Sequence, residues 1–346
     1  MPANVAIANG LHPVSPSPKN RPVELFSTCP SSMGAPANYT ERITEVALWS
    51  EAAGCTGILV YTDNTLADPW LVSQILIQAG SSLCPLVAVQ PVYMHPYSVA
   101  KMVSTLGFLH NRRLFLNMVA GGFKNDLAAL DDPTPHDSRY DRLREYTLVI
   151  QGLLRGGALT FEGQFYRVKG LTLNPALAPE LMPGILMSGS SPAGMTAALS
   201  TGAVAIKYPE PPSSAEASSA SSGDCGVRIG IIARPQEEQA WSIAFQRFPE
   251  DRKGQLTRQI ASKVSDSHWH KSLSQLSGSG TYWLVPFENY QTNCPYLVGS
   301  YENVAEVLAK YLASGFRTFI LDIPAEEEEF AHTSAAFQAA FRWAAL

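Results

Sequence analysis

PLVAVQPVYMHPYSVAKMVSTLGFLHNRRLFLNMVAGG, residues 85–122, sets two short apolar runs, 85–89 and 114–119, on either side of a longer stretch, 96–110, whose apolar residues recur at helical spacing. Short runs suit buried strands, and the longer amphipathic stretch suits a helix. Strand, helix, strand in that order forces the strands to run parallel, with the helix crossing over outside the sheet. The alternation continues in both directions. Apolar runs at 23–27, 57–61, 184–188, 203–207, 227–233 and 317–321 bring the strands to eight. Between them 40–53, 69–80, 138–154, 192–201 and 300–314 read as helices, with Gly54, Gly202 and Gly315 as C-terminal stops. Eight such units close a ring, so the expected fold is α/β, a single (β/α)8 barrel. An open doubly wound sheet would need a glycine-rich turn after its first strand. That turn reads TCPSSMGAP and holds no GxGxxG.

The remainder of the chain is organised around that ring. Residues 1–22 carry five Pro and no periodic apolar pattern, which predicts a mobile arm before one domain at 23–346. The connections 120–137 and 234–316 exceed what a minimal barrel needs, and 234–300 reads as an insertion at the C-terminal rim, where barrel enzymes build their sites. Residues 212–223 hold six Ser and no apolar stripe, so a flexible loop is expected there.

Composition narrows the function. At 346 residues with 46% apolar content the chain can bury a large core. Lys+Arg 25 against Asp+Glu 30 gives a net charge of −5, which argues against a nucleic-acid binder. No apolar run is long enough to span a bilayer and no signal peptide is legible, so a cytoplasmic protein without membrane attachment is expected. Five scattered cysteines, Cys29, Cys55, Cys84, Cys225 and Cys294, with no CxxC, predict neither a disulfide framework nor a metal site.

Four stretches could carry chemistry. SGSSPAG at 188–194 follows a strand and opens a helix, so Gly189 admits a close approach while Ser190, Ser191 and the helix start offer donors suited to a phosphate. A plain Ser cap before Pro192 accounts for the same residues. NMVAGG at 117–122 leaves room for a flat ligand at the mouth, or forms a tight turn around an interior Asn117. PHDSRYDR at 135–142 puts His136 and Tyr140 one turn apart, with Asp137 as the expected cap. Gln90, after the third strand, could reach the edge of a heterocycle or satisfy strand-end backbone. The pair His268 and His270, the turn Asp131–Asp132 and the run EEEE at 326–329 read as solvated surface features, the last as the start of the final helix.

Together these residues resemble the bacterial luciferase-like flavin monooxygenases, most closely the alkanesulfonate monooxygenase subgroup. The similarity runs through GCTGILVYTDNTLADPWLV (54–72), 87–122, HDSRYDR (136–142), FEGQFYRV (161–168), GSSPAG (189–194), KYPEPP (207–212) and LVGSYENVAEVLAKYLASGFRTFIL (297–321). It implies that Gly189, Ser190, Ser191 and Tyr140 hold the phosphate of reduced FMN, and that Gln90, Asn117 and Ala120 lie near its ring or ribityl chain. It further implies reaction with O₂ through a C4a-peroxyflavin, with reduced FMN supplied by a separate NAD(P)H:flavin reductase, since no dinucleotide fingerprint is present. Arg228 is implied for stabilising the peroxide or the substrate, and Tyr208 as a proton donor.

The chain also departs from that subgroup. Leu66 stands in place of a Cys, Cys29 of a His, Tyr208 of a Trp, Gly230 of a His, Tyr290 of a mobile-loop Arg, and Ile323 and Ala325 of a Tyr and a His. Cys29, Leu66 and Tyr290 are accordingly expected to line the substrate pocket. With Arg228 the one cation retained, a sulfonate substrate is disfavoured. Segments 262–276 and 282–300 resemble a natural-product branch, which implies a small organic or carrier-protein-tethered substrate, with Tyr282, Trp283, Phe287 and Tyr290 as an aromatic lid or as the core of the insertion. Alternatives on the same fold are a non-catalytic partner subunit and a deazaflavin (F420)-dependent oxidoreductase. A homodimer is compatible with any of these.

Overall fold

The computed structural model describes residues 22–34, 37–121, 124–210, 224–249, 251, 280–289 and 291–344. Eight parallel strands form the ring: β1 (Glu24–Thr28), β2 (Gly57–Val60), β3 (Cys84–Val89), β4 (Phe115–Val119), β7 (Gly184–Ser188), β8 (Val204–Lys207), β9 (Cys225–Arg234) and β12 (Thr318–Leu321). The ring closes where β12 pairs with β1, Glu24 opposite Thr318 and Phe26 opposite Ile320. All eight strands read from the sequence are members of the barrel.

Inward-facing side chains fill the lower barrel by pairing large with small. Phe26, Leu59, Leu86, Phe115, Leu186, Ile206 and Ile320 form one buried cluster, with Phe26 and Phe115 edge to face at 5.0 Å. Gly184 is small because a Cβ there would sit 2.4 Å from the Phe115 ring. Among the described residues this plug fills the lower barrel as a packed core.

The outer helices follow local signals. In α1 (Tyr39–Ala52), α2 (Pro69–Ala79), α3 (Pro96–His110), α5 (His136–Leu154) and α6 (Pro192–Thr201), the buried residues face the ring. Asp68 caps α2 by accepting from the backbone N–H groups of Trp70 and Leu71, with Pro69 at the first helical position. Gly202 ends α6 in the left-handed region, φ +67°. Asp137 does not cap α5; Pro135 holds that position, and Asp137 instead bonds His136 Nδ1 at 2.7 Å.

Several elements add to the eight units. A short helix α4 (Lys124–Ala129) lies in the connection after β4, and an antiparallel hairpin, β5 (Leu159–Glu162) with β6 (Arg167–Leu171), follows α5. The long stretch after β9 contains α7 (Glu237–Arg247), β10 (Tyr282–Trp283), α8 (Val285–Glu288), β11 (Tyr296–Ser300) and α9 (Tyr301–Ala313). β9 runs past the ring: Gly226–Ile229 pair with β12, whereas Gly230–Arg234 pair with β11. The final helix, α10 (Glu328–Ala344), starts in the acidic run as expected, but Glu329 is not solvated. It is buried between Arg234 at 2.5 Å and Arg247 at 2.6 Å, joining β9, α7 and α10. Residues 212–223, His268, His270 and the segment 262–276 lie outside the described residues.

Candidate active site

The upper ends of β2, β3, β4, β7, β8 and β9 carry the polar side chains. At β7 the backbone turns through Gly189, φ +149°, where a Cβ would lie 2.2 Å from the Tyr140 hydroxyl. Only glycine lets that hydroxyl come so close. Tyr140 donates to the Ser188 carbonyl at 3.5 Å and bonds Ser191, while its ring packs edge to face on His136. Ser191 is buried and caps α6 by accepting from Gly194 N–H at 3.2 Å; Ser190 is exposed. Hydroxyls and the positive end of a ten-residue helix thus share one corner of the mouth.

Beside this corner, Ser188 donates to Asn117 Oδ1 at 2.8 Å across the β4–β7 pair, and Ala120 is buried just above β4. On the other side a cleft of about 220 Å³ opens between the loop after β2 and the turn after β3. Thr62, Leu66, Trp70, Ala88, Gln90 and Tyr93 line it, which brings Leu66 and Gln90 together as one wall. Gln90 is held by donating to the Thr62 carbonyl at 3.2 Å.

Arg228 projects into the lumen, its guanidinium 4.6 Å above the Tyr61 ring, and its Nε and Nη2 are buried with no hydrogen-bond partner. Tyr208, at the end of β8, packs on Phe287 at 6.2 Å, and burial holds its phenol well above the ordinary tyrosine range, so it stays protonated. Above β9, Tyr296 occupies the space a side chain at Gly230 would fill; a Cβ there would be 2.3 Å from its ring. The Tyr296 hydroxyl donates to Asp322 Oδ2 at 2.8 Å.

Other expected residues fall elsewhere. Cys29 does not line the mouth: it is buried in the layer between β1 and α1, packed with Ile43 and Val46, and burial pushes its thiol up to about 12. The parity of β1 explains this, since Phe26 and Thr28 face inward and Cys29 faces the helices. Tyr282, Trp283 and Phe287 are interior side chains rather than a lid; Trp283 packs among Trp241, Phe245 and Phe248. Tyr290 lies outside the described residues. Sequence reading missed Tyr61, Tyr296 and Asp322. Tyr61 was legible, because it shares strand parity with the inward Leu59; the other two meet only through β11, a strand without a clear signal. Among the described residues no cluster of His, Cys, Asp or Glu could hold a metal ion, and no helix is long and apolar enough to cross a membrane.

Residues 24–318 match the luciferase-like monooxygenase family. The chain belongs to that family. It is 33% identical over 308 residues, 86% of its own length and 90% of the relative's, to the 4-(gamma-L-glutamylamino)butanoyl-(BtrI acyl-carrier protein) monooxygenase BtrO of Niallia circulans. The EDTA monooxygenase of Chelativorans sp. BNC1 superposes with a TM-score of 0.70 at 15% identity, covering 94% of this chain and 95% of that one. An F420-dependent secondary alcohol dehydrogenase superposes with a TM-score of 0.66 at 16% identity, covering 92% and 99%. These two likenesses concern the fold.

Proposed function

We propose that this luciferase-like monooxygenase binds reduced FMN at the upper end of the barrel and oxidises an acyl group carried on a carrier protein. The observation that carries the cofactor reading is the corner built by Gly189, Tyr140 and Ser191 at the start of α6. A phosphate there would meet hydroxyls and the positive helix end. Asn117, Ala120 and Gln90 would then border the ring system. Bound reduced flavin supplies the electrons that activate O₂. It would come from a separate NAD(P)H:flavin reductase. The relative BtrO, named for a substrate that is an acyl group on an acyl-carrier protein, supports the tethered substrate.

Each residue then has a task that its surroundings permit. Tyr208, kept protonated by burial, can donate a proton to an oxygen that gains charge. Arg228, with donors unfilled inside a low-dielectric lumen, can hold an anionic oxygen. The cleft lined by Leu66 and Gln90 gives the acyl chain a way in. The retained Arg228 favours a catalyst over a silent partner subunit. Exposed Met102, Phe108 and Leu109 on α3 support a homodimer, which light scattering on the purified protein would test.

The test uses a flavin reductase, FMN, NADH and an acylated carrier protein under air. The reading expects substrate-dependent oxygen uptake and a product heavier by one oxygen atom. A barrel that instead binds deazaflavin in preference to FMN, the reading that the dehydrogenase fold neighbour supports, would replace oxygenation with hydride transfer.

A further inference from the structure

The wall of the lumen carries a row of polar side chains that the proposed function leaves unused. Tyr296 on β11 is the register partner of Gly230 on β9. On the other edge of β9, Ile320 lies opposite Arg228 and Leu321 opposite Ile229, which puts Asp322 at the level of Gly230. With no side chain at Gly230, the Tyr296 ring crosses the inner face of β9, and its hydroxyl donates to Asp322 Oδ2 at 2.8 Å. Asp322 shares strand parity with Ile320, a member of the interior plug, so its carboxylate faces the lumen one layer above that plug. It also lines, with Glu329 and Thr333 of α10, a crevice of about 30 Å³ on the outer side of the wall, which has room for a water molecule. Cys294, just before β11, completes the row. Its buried thiol hydrogen-bonds Asp322 and lies within electrostatic reach of Tyr208, and burial holds it well above the ordinary thiol range. Asp322 is thus faced by Tyr296, Cys294 and Glu329, with Arg228 of β9 beyond Cys294 and Arg247 of α7 beyond Tyr296.

One carboxylate therefore stands between a crevice at the outer wall and, through a thiol, the phenol read above as a proton donor. Monooxygenation joins substrate, O₂, two electrons and two protons into oxidised substrate and water. Reduced flavin in its anionic form brings both electrons and one of the protons, so the other must enter a lumen plugged below and filled by substrate above. Tyr208 can give that proton once, and its phenolate must then be refilled. We propose that Asp322 and Cys294 form a proton relay that refills Tyr208 from the crevice. The Asp322 carboxylate takes a proton from water and becomes a neutral acid. It then passes a proton to the Cys294 sulfur as the thiol's own proton moves to the Tyr208 phenolate. Each group ends as it began, and the net transfer is one proton from solvent to the oxygen that Tyr208 protonated. Tyr296 is a positioning residue, since its hydroxyl fixes the plane of the carboxylate. The relay rests on the reading of Tyr208 as the donor.

The test follows the thiol proton in the flavin-free, full-length protein. Thiol S–H stretches fall in an infrared window clear of other protein bands, and the band lost in Cys294→Ala belongs to Cys294. On transfer to D₂O that band should vanish at least tenfold faster than those of Cys29 and Cys55, which are buried in the layer between strands and helices. Asp322→Asn, nearly identical in size, should slow the exchange at least tenfold, and Tyr296→Phe should slow it severalfold, with circular dichroism unchanged. Exchange at Cys294 no faster than at Cys29 and Cys55 in the unaltered protein, or equally fast in Asp322→Asn, overturns the relay. Substrate-dependent oxygen uptake with a flavin reductase, FMN, NADH and an acylated carrier protein should fall at least tenfold in both Asp322→Asn and Tyr208→Phe while reduced FMN still binds. Undiminished uptake by either variant overturns the relay as well. If reduced FMN fails to bind the unaltered protein while exchange at Cys294 still depends on Asp322, the flavin reading falls and the path from solvent stands.

Discussion

Ser191 shows how one side chain can be changed without disturbing the element it caps. Asp caps a helix as well as Ser does, so Ser191→Asp should leave α6 and the melting temperature nearly unchanged. A carboxylate at that corner would repel a phosphate, and affinity for reduced FMN should fall at least tenfold, about 1.4 kcal/mol. Unchanged affinity, measured by anaerobic fluorescence titration, would move the phosphate elsewhere. Glu51 gives a second residue-scale outcome. The Ser82 hydroxyl, with the backbone N–H groups of Ser81 and Ser82, holds its carboxyl down to about 2 from an ordinary 4.5. A depressed carboxylate pKa stabilises the fold above the unfolded value, and that contribution disappears as pH falls through the folded one. The melting-temperature difference between the native protein and Glu51→Gln should therefore be constant above about pH 5 and shrink toward pH 2. Tyr61 marks what a residue-scale reading of the sequence could have reached and did not. Strand parity alone sends it inward beside Leu59, but an aromatic at a strand end is so often plain core that nothing singled it out.

At the scale of elements, the buried triad of Arg234, Glu329 and Arg247 ties the extension of β9 to α7 and α10. Removing the shared acid strands two guanidinium groups in the interior, which costs about 3–5 kcal/mol for a buried pair. Glu329→Ala should lower the melting temperature by roughly 5–10 °C. A shift within 1–2 °C of zero would show the triad to be solvated in practice. The same elements show where the sequence was readable. The eight ring strands are apolar because both faces are covered, so each stands out as a continuous run. The hairpin β5–β6 is half exposed, with burial alternating weakly over Leu159–Glu162, and no apolar run marks it. β11 carries no separate signal within the insertion 234–300, because its short apolar run abuts the Ser300 cap of α9. Losing β11 concealed the Tyr296–Asp322 pair, and with it the reason Gly230 is glycine.

For the whole molecule, the plugged lower barrel and the open upper end separate stability from chemistry. Gly189, Ser191, Tyr140, Asn117 and Gln90, named from short stretches far apart in the sequence, stand around one mouth because the ring brings strand ends together. Cys29 was misplaced for the complementary reason: its position along β1 was right, but the pleat turns it toward α1. The account holds that reduced FMN docks with its phosphate at the start of α6. The most direct measurement is an anaerobic titration of the purified protein with reduced FMN, alone and with Gly189→Ala, whose added methyl would collide with the Tyr140 hydroxyl. Saturable one-to-one binding at micromolar concentrations, weakened at least tenfold by the substitution, is the predicted result. No binding at tens of micromolar, or equal binding by both proteins, would contradict it.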